Sequence, residues 1–164
     1  MKSKLALIGL AAIFAMPAKA DETLKFRVVQ YVASTQLQQI GDVKGHVQGF
    51  VRYPGIASFP DGSIAKTFVF NAFDGVSGPG GGGTVNGYEN IIFGDGSELW
   101  LKYTGAYKLD NKQVVSAGGT FTVISGIGRY EGAKGDGTYE GVQTGPAAAA
   151  ETLGALDIVL NIKK

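Results

Sequence analysis

The chain has 164 residues, with 15 basic and 14 acidic side chains, 26 glycines and no cysteine. Basic residues are scattered singly through a nearly neutral chain, which makes nucleic acid and anionic membrane surfaces poor partners. Without cysteine, disulfides, a lipid-modified N-terminal cysteine and thiolate metal sites are all unavailable.

At the N-terminus, Lys2 and Lys4 precede an apolar run over residues 5–16, followed by Ala18-Lys19-Ala20. The run is shorter than the ~20 residues a membrane-spanning helix needs, and Ala-x-Ala suits signal peptidase, so residues 1–20 read as a secretory signal. Cleavage after Ala20 would remove three lysines and leave 12 basic against 14 acidic residues in 21–164. That length fits one soluble domain in the periplasm or outside the cell.

Beyond the signal, the chain reads as strands and turns. Period-two alternation predicts eight strands, over 24–33, 43–53, 63–73, 84–93, 98–108, 114–124, 135–142 and 153–162. Pro60-Asp61-Gly62, Gly94-Asp95-Gly96 and Asp110-Asn111 are hairpin signals, so sequential strands are antiparallel neighbours. Residues 147–151 favour helix but lack apolar periodicity and follow Pro146, which predicts a loop with at most one turn. Eight such strands close naturally into an up-and-down barrel, whose interior is either filled or wide enough for one small ligand.

Several local patterns carry ordinary readings. The Gly126 to Gly132 run resembles a dinucleotide fingerprint, but that site needs a following helix, and Gly135, Gly137, Thr138 and Tyr139 predict a strand. The glycine-rich stretch 75–83 lacks the Lys-Ser/Thr of a phosphate loop, and reads as a mobile linker or a flap beside the barrel mouth. Asp42, Asp61, Asp95 and Asp136 each sit in a Gly-containing turn, without clustered calcium ligands. No metal site and no cofactor is expected.

Residues 119–141 carry the most specific pattern, an alternating strand with Phe121 and Val123 on one face, a glycine turn, and a second strand whose Gly135-Gly137-Tyr139 row has almost no side chain. Such a row lets a wall bend or another group approach the backbone. The run ISGIGRYEGAKGDGTYEG within it resembles the G-G-T-G-R-F-x-G-A-x-G-x-G-x-Y pattern of the allene oxide cyclase and dirigent barrel superfamily, particularly its small secreted bacterial members. GDVKGHVQGF, FPDGSIA and FGDGSELWLKYTG agree with that resemblance. It implies an all-β, eight-stranded antiparallel barrel of the allene oxide cyclase and dirigent type, and homo-oligomers, trimers in particular. Characterised members carry an acidic residue near the first strand. FRVVQYVAST has none, and Gln30 and Tyr31 are its nearest polar side chains, so no catalytic carboxylate carries over.

Glu89 is the sharpest candidate. It shares the row of Val85, Gly87, Ile91 and Phe93, which places a lone carboxylate on an apolar face. If that face lines the lumen, desolvation raises its pKa and suits it to general acid or base work or to anchoring a ligand; the alternative is a Glu near a strand end or paired with a neighbouring base. Tyr103 lies on the row of Leu99 and Leu101 and offers a phenolic partner, or is a core tyrosine with its hydroxyl at the rim. Glu89, Tyr103, Leu101, Ile91 and Phe121 form the candidate ligand-binding set, with Glu89 also the candidate catalytic residue. His46 falls on the outward row with Lys44, Gln48 and Arg52 and reads first as structural. Trp100 also faces outward, and suits a subunit interface better than a site. The last strand is apolar on both rows apart from Asp157 and Asn161, which also points to an oligomer.

Three functions stay open: a barrel binding a small hydrophobic organic molecule, a cofactor-free cyclase or isomerase using Glu89 or a tyrosine for proton transfer, and a filled structural barrel.

Overall fold

In the computed structural model, which describes residues 21–149 and 151–163, nearly all of the described residues lie in strands and turns. The expected signal segment lies outside the described residues. The strands are β1 Glu22–Tyr31, β2 Ser34–Gln39, β3 His46–Ser58, β4 Ile64–Val76, β5 Gly82–Phe93, β6 Glu98–Leu109, β7 Val115–Ile127, β8 Lys134–Gln143 and β9 Leu153–Lys163, with one turn of 3-10 helix at Gly128–Tyr130. Every pairing is antiparallel. β3 through β9 follow one another around the wall, β9 pairs β1 from Glu22↔Ile162 to Tyr31↔Leu153, and β1 closes on β3 through Arg27↔Ser58 to Gln30↔Gly55.

The result is a closed, eight-stave antiparallel barrel in which the first stave is broken in two. β1 covers one half of the long β3 and β2 covers the other, through Ser34↔Arg52 to Gln39↔Val47. Alternation does not reveal β2, because STQLQQ holds a single apolar residue, Leu37, which is itself exposed. Pairing along β3 makes this segment a strand. Pro54 sits in β3 where the partner changes from β2 to β1, a break in the ladder that tolerates the loss of its N–H. The second expected strand therefore starts later, at His46, and runs on to Ser58.

The glycine-rich stretch is shorter as a connection than its composition suggests. β4 extends to Val76 and β5 begins at Gly82, and the turn between them is tied by Gly81 N–H to Gly78 O (2.9 Å), Gly80 N–H to Leu109 O (3.1 Å) and Leu109 N–H to Gly81 O (2.9 Å). Of the two readings, mobile linker or flap beside the mouth, its position matches the second: it lies at the barrel mouth, tied to its own turn and to Leu109 by these bonds. Asp136 stands in β8 rather than in a turn, whereas Asp61 and Asp95 accept from the Ser63 and Ser97 N–H groups of their hairpins (2.9 Å each).

The two ends of the barrel differ. At the end holding the Phe59–Ser63 and Gly94–Ser97 turns, Phe26, Phe59, Phe93 and Tyr130 stack in sequence, with ring centroids 5.0, 5.7 and 5.0 Å apart. Arg129 covers them, its guanidinium 4.5 Å from the Phe93 ring centre. Above this plug, Ile91, Leu99, Leu101, Ile158 and Leu160 are fully buried. The opposite end is the mouth, bordered by β2, the Ser77 turn and the segment from Thr144 to Ala149, which folds inward through Thr35 Oγ1 donating to Ala147 O (2.6 Å) and a turn from Ala149 N–H to Pro146 O (2.9 Å).

Candidate ligand chamber at the barrel mouth

Inward positions of neighbouring staves fall into level rows. One row runs Asn71, Gly87, Tyr103, Phe121, Gly137, and the next, deeper, runs Val69, Glu89, Leu101, Val123, Gly135. Glycine and tyrosine alternate for a physical reason: a Cβ at Gly87 would stand 2.8 Å from Tyr103 Oη, and Cβ atoms at Gly75 and Gly105 would meet Tyr107 Oη and Tyr139 Oη. Each tyrosine lies across a bare stretch of backbone, so large rings fit in a narrow barrel. In the small-residue row read from Gly135, Gly137 and Tyr139, the side chain that approaches is an aliphatic one: a Cβ at Gly137 would stand 2.6 Å from Leu160 Cδ2.

The rings line a cavity in two parts. The outer chamber, about 310 Å³, is walled by Leu37, Val47, Phe73, Tyr107, Leu109 and Ala147, among others. A deeper recess of about 70 Å³ continues below it, with Gln30, Asn71, Glu89, Tyr103, Tyr139 and Gln143 in its lining. Tyr53, Asn71, Val85, Ala117 and Gln143 border both parts.

Glu89 lies on the inward face, as its row predicts, and is 1 % exposed. Its cross-strand neighbours are Val69 and Leu101, neither able to bond it, and burial alone pushes the carboxyl up to about 8. Pairing with a neighbouring base, the ordinary alternative, is absent: its Oε1 has no hydrogen-bond partner. Gln30 Oε1, Gln143 Oε1 and Tyr139 Oη are likewise buried without partners, although the Gln143 side chain bonds Tyr53, and all four residues line the same recess. Buried polar atoms are normally satisfied, so four together in one recess offer hydrogen-bonding positions to water or to a ligand.

Tyr103 is satisfied, its Oη donating to Asn71 Oδ1 at 2.6 Å between two buried residues. Burial, then the nearby Tyr139 and Glu89, hold its phenol well above the usual value, and burial raises Tyr139 to about 12. Tyr103→Phe is expected to cost about 1–3 kcal/mol in urea denaturation, because Asn71 Oδ1 would be left without a donor. Wild-type stability in that variant would remove the bond from the account.

Of the expected set, Glu89, Tyr103 and Phe121 meet at the recess. Leu101 and Ile91 do not: both are completely buried in the packed core, outside the lining of either part, Ile91 one row deeper than Glu89 and Leu101 on the row of Glu89 itself. Sequence reasoning missed Gln30, Tyr53, Asn71, Tyr139 and Gln143 as lining residues. Tyr53 and Asn71 were within reach, since they continue the inward rows of Val47, Val51 and Val69. Gln30 was noticed only as a polar residue where an acid was sought, and nothing local in Gln143 marks it as lumenal.

His46 lies on the outside of the wall, as its row predicts. Its Nδ1 meets Asp42 Oδ1 at 2.5 Å and its Nε2 meets Asp74 Oδ1 at 2.7 Å, while Asp74 also accepts from Gln48 Nε2 at 2.6 Å. Carboxylate oxygens only accept, so both ring nitrogens must donate, which is the charged imidazolium. The Asp74 and Asp42 hydrogen bonds raise its pKa above 6.5. The stability these pairs contribute is therefore full below 6.5 and lost as pH rises through the raised value. Because His46 is the one histidine of the chain, its NMR titration is unambiguous; a midpoint above 6.5 that falls in Asp74→Asn is expected, and a wild-type midpoint at or below 6.5 would contradict the geometry. Trp100 also faces outward, its Nε1 donating to Glu98 Oε2 at 3.3 Å.

The chain is similar to solved dirigent proteins. The pterocarpan synthase dirigent protein GePTS1 aligns with a TM-score of 0.47 and 11% identity over 99% of this chain and 100% of its own. The pterocarpan synthase dirigent protein PsPTS1 gives 0.47 and 11% over 91% of this chain and 99% of its own. No family model and no curated protein matches the chain.

Proposed function

We propose that this is an exported barrel that binds a small hydrophobic organic molecule in its lumen. The observation that carries the reading is the outer apolar chamber of about 310 Å³ leading to a recess where four buried polar atoms lack partners. Apolar enclosure with a few convergent polar groups is the usual make-up of a small-molecule site. Native mass spectrometry of protein purified from its own host tests it. A co-purifying organic molecule, lost in Ala117→Trp, is expected, since Ala117 borders both parts of the cavity. The same ligand retained in that variant would place binding elsewhere, and no ligand in either would favour a filled structural barrel.

One observation favours a second reading, a cofactor-free isomerase or cyclase. A carboxyl poised near 8 beside Tyr103 and Tyr139 is able to hold and release a proton at neutral pH. Glu89→Gln separates the two: for a neutral ligand it leaves affinity nearly intact under the binding reading and abolishes turnover under the other.

A homo-oligomer, with a trimer the form the resemblance implies, belongs to the same proposal. The outward row of β9 is interrupted by Asp157, which takes two bonds from Arg27 (2.9 and 2.7 Å). More apolar surface lies on the outer faces of β3 to β5, where Phe50 is 67 % exposed and Phe68, Phe70 and Tyr88 are exposed beside it. Light scattering at micromolar concentration is expected to give a multiple of the chain mass, reduced in Phe50→Glu; a monomeric wild type would end this part of the proposal.

A further inference from the structure

The lining of the lumen is chemically one-sided. Across both parts, among the described residues, it holds one carboxyl, Glu89, and no Lys, Arg, His or Asp. Tyr53, Tyr103, Phe121 and Tyr139 surround the recess, and Phe73 and Tyr107 stand above it, so a molecule moving inward passes ring faces and edges before it reaches the carboxyl. Of the four unpartnered atoms, the oxygens of Glu89, Gln30 and Gln143 accept hydrogen bonds, and Tyr139 Oη is able to. What the described lining lacks is positive charge.

An ammonium group supplies it. Its N–H groups match carboxyl and amide oxygens, and its charge is attracted to aromatic faces as well as to a carboxylate. We propose that the lumen takes an organic amine with an apolar body, its ammonium held by Glu89 and the neighbouring amide oxygens on the floor of the recess and its body enclosed by the outer chamber. This rests on the reading that the lumen binds a small molecule. Desolvating an ammonium and a carboxylate together is costly, so the rings and amides are as necessary to the site as the charge pair. An anionic ligand finds no donor cation in this lining and meets a carboxyl at its end.

The proton balance follows from the chemistry. In the free protein at pH 7 Glu89 is mostly neutral; when the ammonium arrives, the carboxyl ionises and its proton passes to solvent, leaving the ion pair. The other titratable groups facing Glu89 are the phenols of Tyr53 on β3, Tyr103 on β6 and Tyr139 on β8, and burial holds all three above their usual range, so they stay neutral between pH 6 and 8. His46, Asp42 and Asp74 pair with one another on the outside of the wall.

Isothermal titration calorimetry with n-hexylamine and hexan-1-ol, on the whole secreted protein in phosphate and in HEPES, tests the proposal. Hexylamine is expected to bind at least tenfold more tightly than hexanol at pH 7, with nearly one proton released per amine, and its affinity to rise close to tenfold per pH unit from 6 to 8. Glu89→Gln should lose the proton release and bring the amine to the affinity of the alcohol, while hexanol changes less than about threefold. Proton release is read on the wild type, so the test stands even if the variant folds poorly. Hexanol binding as well as hexylamine, or amine binding without proton release, overturns the amine assignment and leaves lumenal binding intact. Failure of both probes at millimolar concentration overturns the two together.

Discussion

Glu89→Gln is expected to make the folded protein more stable at pH 8 by on the order of 4 kcal/mol while leaving stability near pH 4.5 almost unchanged. The carboxyl is raised from 4.5 to about 8 by burial. Since the folded-state value lies above the unfolded one, the proton on Glu89 favours folding in full below about 4.5, and this advantage is lost as pH rises toward 8. Over that window the unfolded chain ionises freely and the folded chain resists. Glutamine is close to glutamic acid in shape and never ionises, so it removes the slope. Comparing variant and wild type at each pH cancels the other titrating groups, including Asp42, Asp61, Asp74, Asp95 and Asp157, whose hydrogen bonds hold them low and whose contributions fade in acid. Urea denaturation at pH 4.5, 6 and 8 reads the effect. Parallel pH profiles for the two proteins would show that Glu89 is solvated or paired, and the account of the recess would fall with it.

Gly105→Ala is expected to destabilise the barrel by about 3 kcal/mol, at the upper end of the cost of overpacking by a single carbon. The new Cβ would meet Tyr139 Oη and the Gly118 carbonyl, and the carbonyl belongs to the adjacent stave and has nowhere to go. Adding Tyr139→Phe removes one of the two collisions, so the pair should recover about 1 kcal/mol relative to the sum of the single changes. Gly94 is the control: it has open space around it and no positive φ, and Gly94→Ala should stay within about 0.5 kcal/mol of wild type. Equal melting curves for Gly105→Ala and Gly94→Ala would refute the argument that glycines make room for the lumenal tyrosines.

Much of the barrel was legible locally because a strand with one wet face must alternate. The rows of β5, β6 and β7 could be assigned to inside or outside from single residues, which is how Glu89, Tyr103 and Phe121 were placed correctly. β2 was not legible, since STQLQQ has no apolar row to bury, and its pairing depends on a long β3 whose other half is taken by β1. The second expected strand, 43–53, stopped short for the same reason, since β3 runs on past Pro54 to Ser58.

Depth along the barrel axis is the property alternation never encodes. It says that Ile91 and Glu89 point inward, but not that the first lies in packed core while the second, one row nearer the mouth, borders a cavity. The boundary depends on how far the Phe26, Phe59, Phe93 and Tyr130 plug and the rows above it fill the interior, and those residues come from staves scattered through the chain. The sequence by itself determined the strand class, the antiparallel order and the face of residues in the strands that alternate, because these follow from nearest-neighbour geometry. Only tertiary structure decided which end is open, which oxygens are left without partners and that Gln30 and Gln143, 113 positions apart, border the same recess as Glu89, because each depends on closing the sheet upon itself.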